Sequence, residues 1–255
     1  MEAPERVHAA ALGFEHDRIV EPAKELKADK MVLMNWGAGE QPSFFDDVWA
    51  DLEAARIQVE ERSCNIYDMY DVLRVTTAIV RDHSSDVVNV NISTGTKVSA
   101  IGGMIACMIT DATAYYAKPE TYGDSEAGEP APVSQGLESI DQLPSYPIDG
   151  PEEQHVYILE YLFREGPASK KELVEFSRGL KDDLPSGNPD GELPFIAKSE
   201  ANTRKSWYRL LDSRILELLK EKGFVETEEV GRRTDVSLTQ EGENTVTAFR
   251  HLIED

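Results

Sequence analysis

Five residues in the middle of the chain, Ser93-Thr94-Gly95-Thr96-Lys97, place hydroxyls, a glycine and a cation where a β-type apolar run gives way to a small-residue helical run. A strand feeding a helix through such a turn aims free backbone N–H groups and the positive end of the helix dipole at one spot, and Lys97 adds a full charge. Phosphate or carboxylate suits that chemistry. An ordinary βα connection, in which Thr96 caps the helix and Gly95 relieves the turn, uses the same residues. A second group follows the first apolar run: His16, in Gly13-Phe14-Glu15-His16-Asp17-Arg18. There His16 is a hydrogen bonder or a titrating group, and Arg18 an anion contact or a helix-start surface charge. Trp36, between Asn35 and Gly37, either stacks a base or is buried.

A third group is basic. Residues 198–214 carry Lys198, Arg204, Lys205, Arg209 and Arg214 against Glu200 and Asp212, in a chain with 48 acidic and 26 basic residues. Asn202, Thr203, Ser206 and Tyr208 add hydrogen-bonding groups. Arg bonds guanine bidentately and Asn reads adenine, whereas Lys, Ser and Thr suit phosphate. The alternative is a solvated helix face paired with acids at i,i+4. No paired carboxylates at obvious spacing, GxSxG, HExxH, GxxxxGK(S/T) or GxGxxG occur, so no catalytic residue and no cofactor is assigned. Cys64 and Cys107 have no CxxC partner, so no metal site is expected and both read as buried, reduced thiols.

The elements that must position these groups follow from periodicity. Residues 7–12, 31–34, 57–60 and 87–92 read as strands, and 112–117 as a fifth. Helical patterns lie between them, at 18–26, 42–55, 67–80 and 98–109. Alternation of this kind implies right-handed βαβ units, a parallel sheet and ligand sites beyond the C-terminal strand ends. Gly13 to Arg18, Asn35 to Glu40 and Ser93 to Lys97 then share one rim. Residues 1–117 form this first domain, and 118–150, rich in Pro, Gly, Ser and acids, read as a linker or loosely packed connection.

Residues 151–255 change character. A helix opened by Pro151 turns Val156, Leu159, Leu162 and Phe163 inward. A second begins at a Ser169/Glu172 capping box, and a long third (199–222) buries Trp207, Leu211, Ile215 and Leu218. Gly223 ends it, and residues 224–229 and 234–238 flank Gly231-Arg232-Arg233 as a hairpin. Three helices and a hairpin with an arginine-bearing tip are the order of a winged helix-turn-helix, with Asn202, Thr203, Arg204, Lys205, Tyr208, Arg209, Arg232 and Arg233 facing double-stranded DNA. One winged domain makes few contacts, so a homodimer on a palindromic site is expected. Residues 179–198 replace the usual short turn.

At 255 residues and 40% hydrophobic composition the chain can fold two cores, while its formal charge of −22 marks an acidic surface. Salt adaptation explains that surface, since molar salt shortens the Debye length to about 3 Å. A halophilic cytoplasm is therefore expected. The N-terminus lacks a signal-peptide pattern and no apolar run reaches the roughly 18 residues of a span, so a soluble cytoplasmic protein without membrane contact is expected.

The stretch VVNVNISTGTKVSAIGGMIA resembles the signature of CARF domains, the Rossmann-like sensors of CRISPR-associated proteins, and AALGFEHDRI resembles their first strand and loop. A CARF-type domain followed by a winged helix is the layout of archaeal CRISPR-associated transcriptional regulators. The chain is similar to their haloarchaeal relatives over essentially its whole length, although it shows Ser-Thr-Gly-Thr where Thr-Gly-Gly-Thr is common. The resemblance implies an α/β, Rossmann-like parallel-sheet domain and an α+β winged domain. It also implies a homodimer binding a cyclic oligoadenylate across its two-fold axis, with Phe14, His16, Arg18, Ser93, Thr94, Gly95, Thr96 and Lys97 lining the pocket. The resulting expectation is a ligand-responsive transcriptional regulator. The alternatives are a ring nuclease cleaving the cyclic oligoadenylate and a protein-interaction adaptor built on the winged helix.

Overall fold

The computed structural model describes residues 3–35, 44–123, 132–177, 203–231 and 233–253, with backbone alone at 44 and 230. The chain divides into two compact units, Met1–Asp149 and Gly150–Asp255.

In the first unit strands and helices alternate: β1 (Arg6–Ala11), α1 (Asp17–Glu25), β2 (Lys30–Asn35), α2 (Phe44–Ala54), β3 (Gln58–Ser63), α3 (Met69–Asp82), β4 (Val87–Asn91), α4 (Lys97–Ile109) and β5 (Thr113–Lys118). The sheet order is β3-β2-β1-β4-β5, all parallel, with a further edge strand (Ser139–Gln142, β8) beside β5. The chain leaves β1 toward β2 and β3, then returns to place β4 on the other side. Loops after β1 and β4 therefore part at a topological switch point, where α/β sheets bind ligands.

Period-two alternation sorts the core onto two faces. Val7, Ala9, Ala11, Val32, Met34, Val88, Val90 and Ala114 pack with Val72, Val75 and Ile79 of α3 and Cys107 of α4. Ala10, Leu12, Met31 and Leu33 pack with Ile19, Val20 and Ala23 of α1 and Val48 and Leu52 of α2. The second face turns polar toward β5, where His8, Asn91 and Tyr115 are buried. Both cysteines are buried free thiols, pushed up to about 12 by burial.

Residues 118–150, expected as a linker or loosely packed connection, carry three strands instead. β6 (Thr121–Tyr122) and β7 (Ser134–Gln135) pair with each other, and β8 (Ser139–Gln142) extends the main sheet antiparallel to β5. Short polar strands lack the apolar alternation that marks a strand in sequence; here edge pairing holds them.

The second unit runs α5 (Glu153–Glu165), β9 (Ala168–Ser169), α6 (Lys170–Ser177), α7 (Arg204–Leu211), a π-helical turn (Asp212–Leu216), α8 (Glu217–Glu221), β10 (Val225–Val230), β11 (Arg233–Leu238) and α9 (Gln240–Phe249), then a 3-10 turn (Arg250–Leu252). Its sheet order is β10-β11-β9, the hairpin being antiparallel throughout. The capping box at Ser169 is formed: Glu172 accepts from the Ser169 N–H at 2.8 Å and from its hydroxyl at 2.7 Å. Phe163, expected inward, is 46% exposed, its ring covered instead by the Arg250 guanidinium at 5.3 Å. The expected core position Leu218 is taken by Leu219, at 1% exposure, because the π-turn at Asp212–Leu216 shifts the helical phase ahead of both.

Candidate functional site

The rim of the first unit is built from two loops pressed together at glycines. A Cβ on Gly13 would lie 2.6 Å from the Gly95 Cα, and one on Gly95 would lie 2.6 Å from both the Ala11 Cβ and the Ser99 Oγ. Gly95 also has φ +79°, where an L side chain is strained. Thr96 is the N-cap of α4, accepting from the Ser99 N–H at 3.0 Å, donating its hydroxyl to the Ile66 carbonyl at 2.7 Å and donating its own N–H to Ser99 Oγ at 2.8 Å. The capping role and the glycine-relieved turn are thus both real.

The hydroxyls of the loop point into the protein. Thr94 is 3% exposed and donates to the Ala11 carbonyl at 2.8 Å. Its side chain therefore leaves the rim open where a glycine is common. Ser93 donates its hydroxyl to Asn91 Oδ1 and accepts from the Ala117 N–H of β5 at 3.1 Å. What is exposed in the loop is Gly95 and the charge of Lys97. Among the described residues the N–H groups of Thr94 and Gly95 find no acceptor, and no ion pair holds the exposed Lys97. Three elements of an anion cradle converge there: loop amides, the first turn of a thirteen-residue helix, and an ammonium.

The other expected pocket residues divide. Phe14 is 44% exposed on the rim. His16 is braced, with Nδ1 2.8 Å from Asp17 and Nε2 3.3 Å from Asp51, so both ring nitrogens are committed to carboxylates. Arg18, expected to line the pocket, lies in the interior, with no partner at Nη2 among the described residues. It is 3% exposed, donating Nε to the Ala117 carbonyl at 2.7 Å and Nη1 to Glu15 at 2.9 Å, and it stacks 5.0 Å from the Tyr116 ring centroid. Glu15, itself 6% exposed, accepts the Ser134 hydroxyl on its other oxygen. Gly136 N–H reaches Asp17 at 2.7 Å and Val133 N–H reaches the Phe14 carbonyl at 2.8 Å. Arg18 and Glu15 thus bind the segment around β7 across the first rim loop, and burial requires that they be paired. Asn91, absent from the sequence-derived set, donates to the Arg18 carbonyl at 2.7 Å and orders Ser93. Its signal was a polar residue at the end of the apolar alternation VVNVN. Trp36 lies outside the described residues.

In the second unit the basic face lies on α7. Thr203 is its N-cap, accepting from the Ser206 N–H at 3.3 Å. Arg204, Lys205 and Arg209 are exposed, Tyr208 is half-buried, and among the described residues no ion pair holds any of the three cations. The i,i+4 pairing that would have made this an ordinary solvated face is missing there. A cleft of about 530 Å³ adjoins it, lined by Ser169, Lys170, Lys171, Tyr208, Arg233 and Thr234, with Glu172 beside them. Lys170 and Lys171 were missed in the sequence, where only the capping pair of this helix was read; two lysines in a helix's first turn were the signal.

The hairpin is less basic than its tip implied. Arg233 is held by Asp235 at 2.9 Å, and Glu226, Glu228 and Glu229 of β10 are exposed. Asn202, Arg232 and residues 179–198 lie outside the described residues.

Among the described residues no group of three or more His, Cys, Asp or Glu is placed to hold a metal. Nor is any described helix long and apolar enough to cross a membrane.

These units define a protein class: a Rossmann-like α/β domain followed by a winged helix domain. Residues 6–122 match the family model described as "HFX_2341_N:-like, N-terminal", and residues 154–250 match the DUF6293 C-terminal winged helix domain. No curated protein matches the chain. Among solved structures it is similar to Can2 from Sulfobacillus thermosulfidooxidans in complex with cyclic tetra-adenylate, at 14% identity and TM-score 0.40, covering 67% of this chain and 45% of that one. Enterococcus italicus Csm6 bound to cyclic hexa-2'-fluoro-hexa-dAMP is similar at 12% identity and TM-score 0.37, covering 47% of this chain and 35% of that one. VC1899 from Vibrio cholerae is similar at 13% identity and TM-score 0.40, covering 97% of this chain and 65% of that one. The chain spans less than half the length of the first two.

Proposed function

We propose that this chain is a homodimeric, ligand-responsive regulator that binds double-stranded DNA through its winged helix domain. The observation that carries the reading is the solvent face of α7, where Arg204, Lys205 and Arg209 stand without acidic partners among the described residues, in a chain of net charge −22. In such a chain an unneutralised cationic helix face beside a lysine-lined cleft suits a polyanion, with arginines able to reach base edges and lysines phosphates.

The effector is an anion seated on the amides of Thr94 and Gly95 and on Lys97. The resemblance of residues 87–106 to the CARF signature supports a cyclic oligoadenylate as that anion. A second copy supports the same pocket from across a two-fold axis. The outer face of α4, with Ile101 54% exposed and Ile105 and Met108 half-buried, is the apolar surface such a copy would cover. Ligand binding changes DNA affinity to the extent that it favours one placement of the winged domains over another.

The test is electrophoretic mobility shift of duplexes selected from a random library, using full-length protein at its working salt. Arg204→Ala with Arg209→Ala should abolish the shift while leaving the melting temperature in place, and unchanged affinity overturns the reading. Adding cyclic tetra- or hexa-adenylate should change the wild-type affinity. Linear products after the incubation would instead identify a ring nuclease.

A further inference from the structure

The helix that carries the basic face is interrupted by a wide turn, and the reason lies in its apolar spacing. Trp207, Leu211, Ile215 and Leu219 recur at strict four-residue intervals, and the last three are at most 1% exposed. In a continuous α-helix each four-residue step overshoots a full rotation by about 40°, so such a stripe spirals off the core within a few turns. The π-turn at Asp212–Leu216 absorbs the surplus, and its i−5 bond, from the Glu217 N–H to the Asp212 carbonyl, is formed. The return from i−5 to i−4 pairing loosens the carbonyl ladder over the last residues of the turn, where a donor from outside the helix can hold it.

Such a donor reaches the turn at Arg214. His155 of α5 is 2% exposed, and its Nε2 lies 3.2 Å from the Arg214 carbonyl oxygen. Its Nδ1 accepts from the Glu152 N–H at 3.2 Å, so Nε2 carries the proton that the carbonyl receives. From the other side Lys170 of α6 holds Asp212, the first residue of the turn, at 2.6 Å. The side chains of Ser213 and Arg214 are exposed, so the extra residue makes no demand on the core.

We propose that His155 is a positioning residue for the DNA-facing helix: by holding the Arg214 carbonyl it keeps the π-turn in place and sets the rotation of Arg204, Lys205 and Arg209 about the helix axis. Were the same residues to close as α-helix, α7 would turn by about 100° relative to α8 and carry its cations off the presented face. This rests on the DNA-binding reading for its consequence, though the clamp itself is measurable without DNA.

The full-length protein is compared as wild type, His155→Leu, His155→Gln, a deletion of Ser213, and that deletion combined with His155→Leu. Deleting Ser213 converts the four-four-four spacing to four-three-four, which a continuous α-helix satisfies with both halves in their present orientation. His155→Leu should keep its circular dichroism but exchange the amides of residues 213–219 about tenfold faster in DNA-free protein, and should lose about tenfold in affinity for a library-selected duplex. His155→Gln, which retains a side-chain N–H, should recover most of both. In the Ser213 deletion, His155→Leu should change neither. Equal effects of His155→Leu in both backgrounds, or unchanged exchange in the full-length sequence, overturn the proposal. Absence of any wild-type DNA binding overturns the DNA reading instead, while the exchange measurement still decides the clamp.

Discussion

Gly13 and Gly95 meet backbone to backbone, so close that a Cβ on the first would sit 2.6 Å from the Cα of the second. Two loops from neighbouring strands are thereby held as one rim, and the amides of Thr94 and Gly95 take their direction from that contact. Gly95→Ala adds a strained φ to a clash with Ala11 and Ser99. It should destabilise the protein by about 3 kcal/mol, read from chemical denaturation, and abolish effector binding.

Lys97→Gln should behave in the opposite way. The ammonium is exposed and unpaired among the described residues, so the melting temperature should hold. Affinity for cyclic tetra-adenylate, measured calorimetrically, should fall by about 1–2 kcal/mol through loss of a charge-assisted contact.

Arg18→Ala separates a structural from a ligand role. Removing the guanidinium strands Glu15 in the interior with one partner fewer, a loss of about 3–5 kcal/mol in unfolding free energy. A variant of wild-type stability that fails only to bind ligand would return Arg18 to the pocket.

Lys171→Gln should lower the slope of log affinity for DNA against log salt by about one, because a phosphate contact releases a counterion. Arg233→Gln should lower it less, since Asp235 holds that guanidinium at 2.9 Å, a closer pairing than the 3.6 Å between Glu175 and the Lys171 ammonium. Equal slopes for wild type and Lys171→Gln would remove the cleft from the interface.

Burial holds His8 well below its ordinary range, at about 4, with the Tyr115 hydroxyl 3.1 Å from Nδ1 and no partner at Nε2 among the described residues. The folded value lies below the unfolded value of about 6.5, so the fold disfavours the charged ring. Its contribution is complete above pH 6.5 and is lost as pH falls toward 4, at about 1.4 kcal/mol per pH unit. Comparing the unfolding free energies of wild type and His8→Leu across that window should show the wild type sloping more steeply, the difference approaching about 1.4 kcal/mol per pH unit.

The parallel sheet was legible because Val7 to Leu12, Met31 to Met34 and Val87 to Ile92 are apolar runs separated by helical periods, a pattern with few other packings. The winged unit was legible from its order of helices, its Ser169/Glu172 cap and its Gly231 hairpin. Leu218 misled for a specific reason: helical projection assumes 100° per residue, and the π-turn breaks that rule just before it. Phe163 misled because a cation, Arg250, could cover an aromatic face that would otherwise seek the core.

What the amino-acid sequence determined by itself is local: which residues alternate, where a helix can start, and that hydroxyls, a glycine and a lysine gather at one strand end. Only the tertiary structure decided what those groups touch. Glu15 meets Ser134 across 119 positions, and His155 meets Arg214 across 59. Such pairs leave no periodic trace, since they arise where separately formed elements bury polar atoms against one another and each must find a partner. That requirement set Arg18 on Glu15 and the Ala117 carbonyl, left the amides of Thr94 and Gly95 without a protein acceptor among the described residues, and brought His155 to the Arg214 carbonyl.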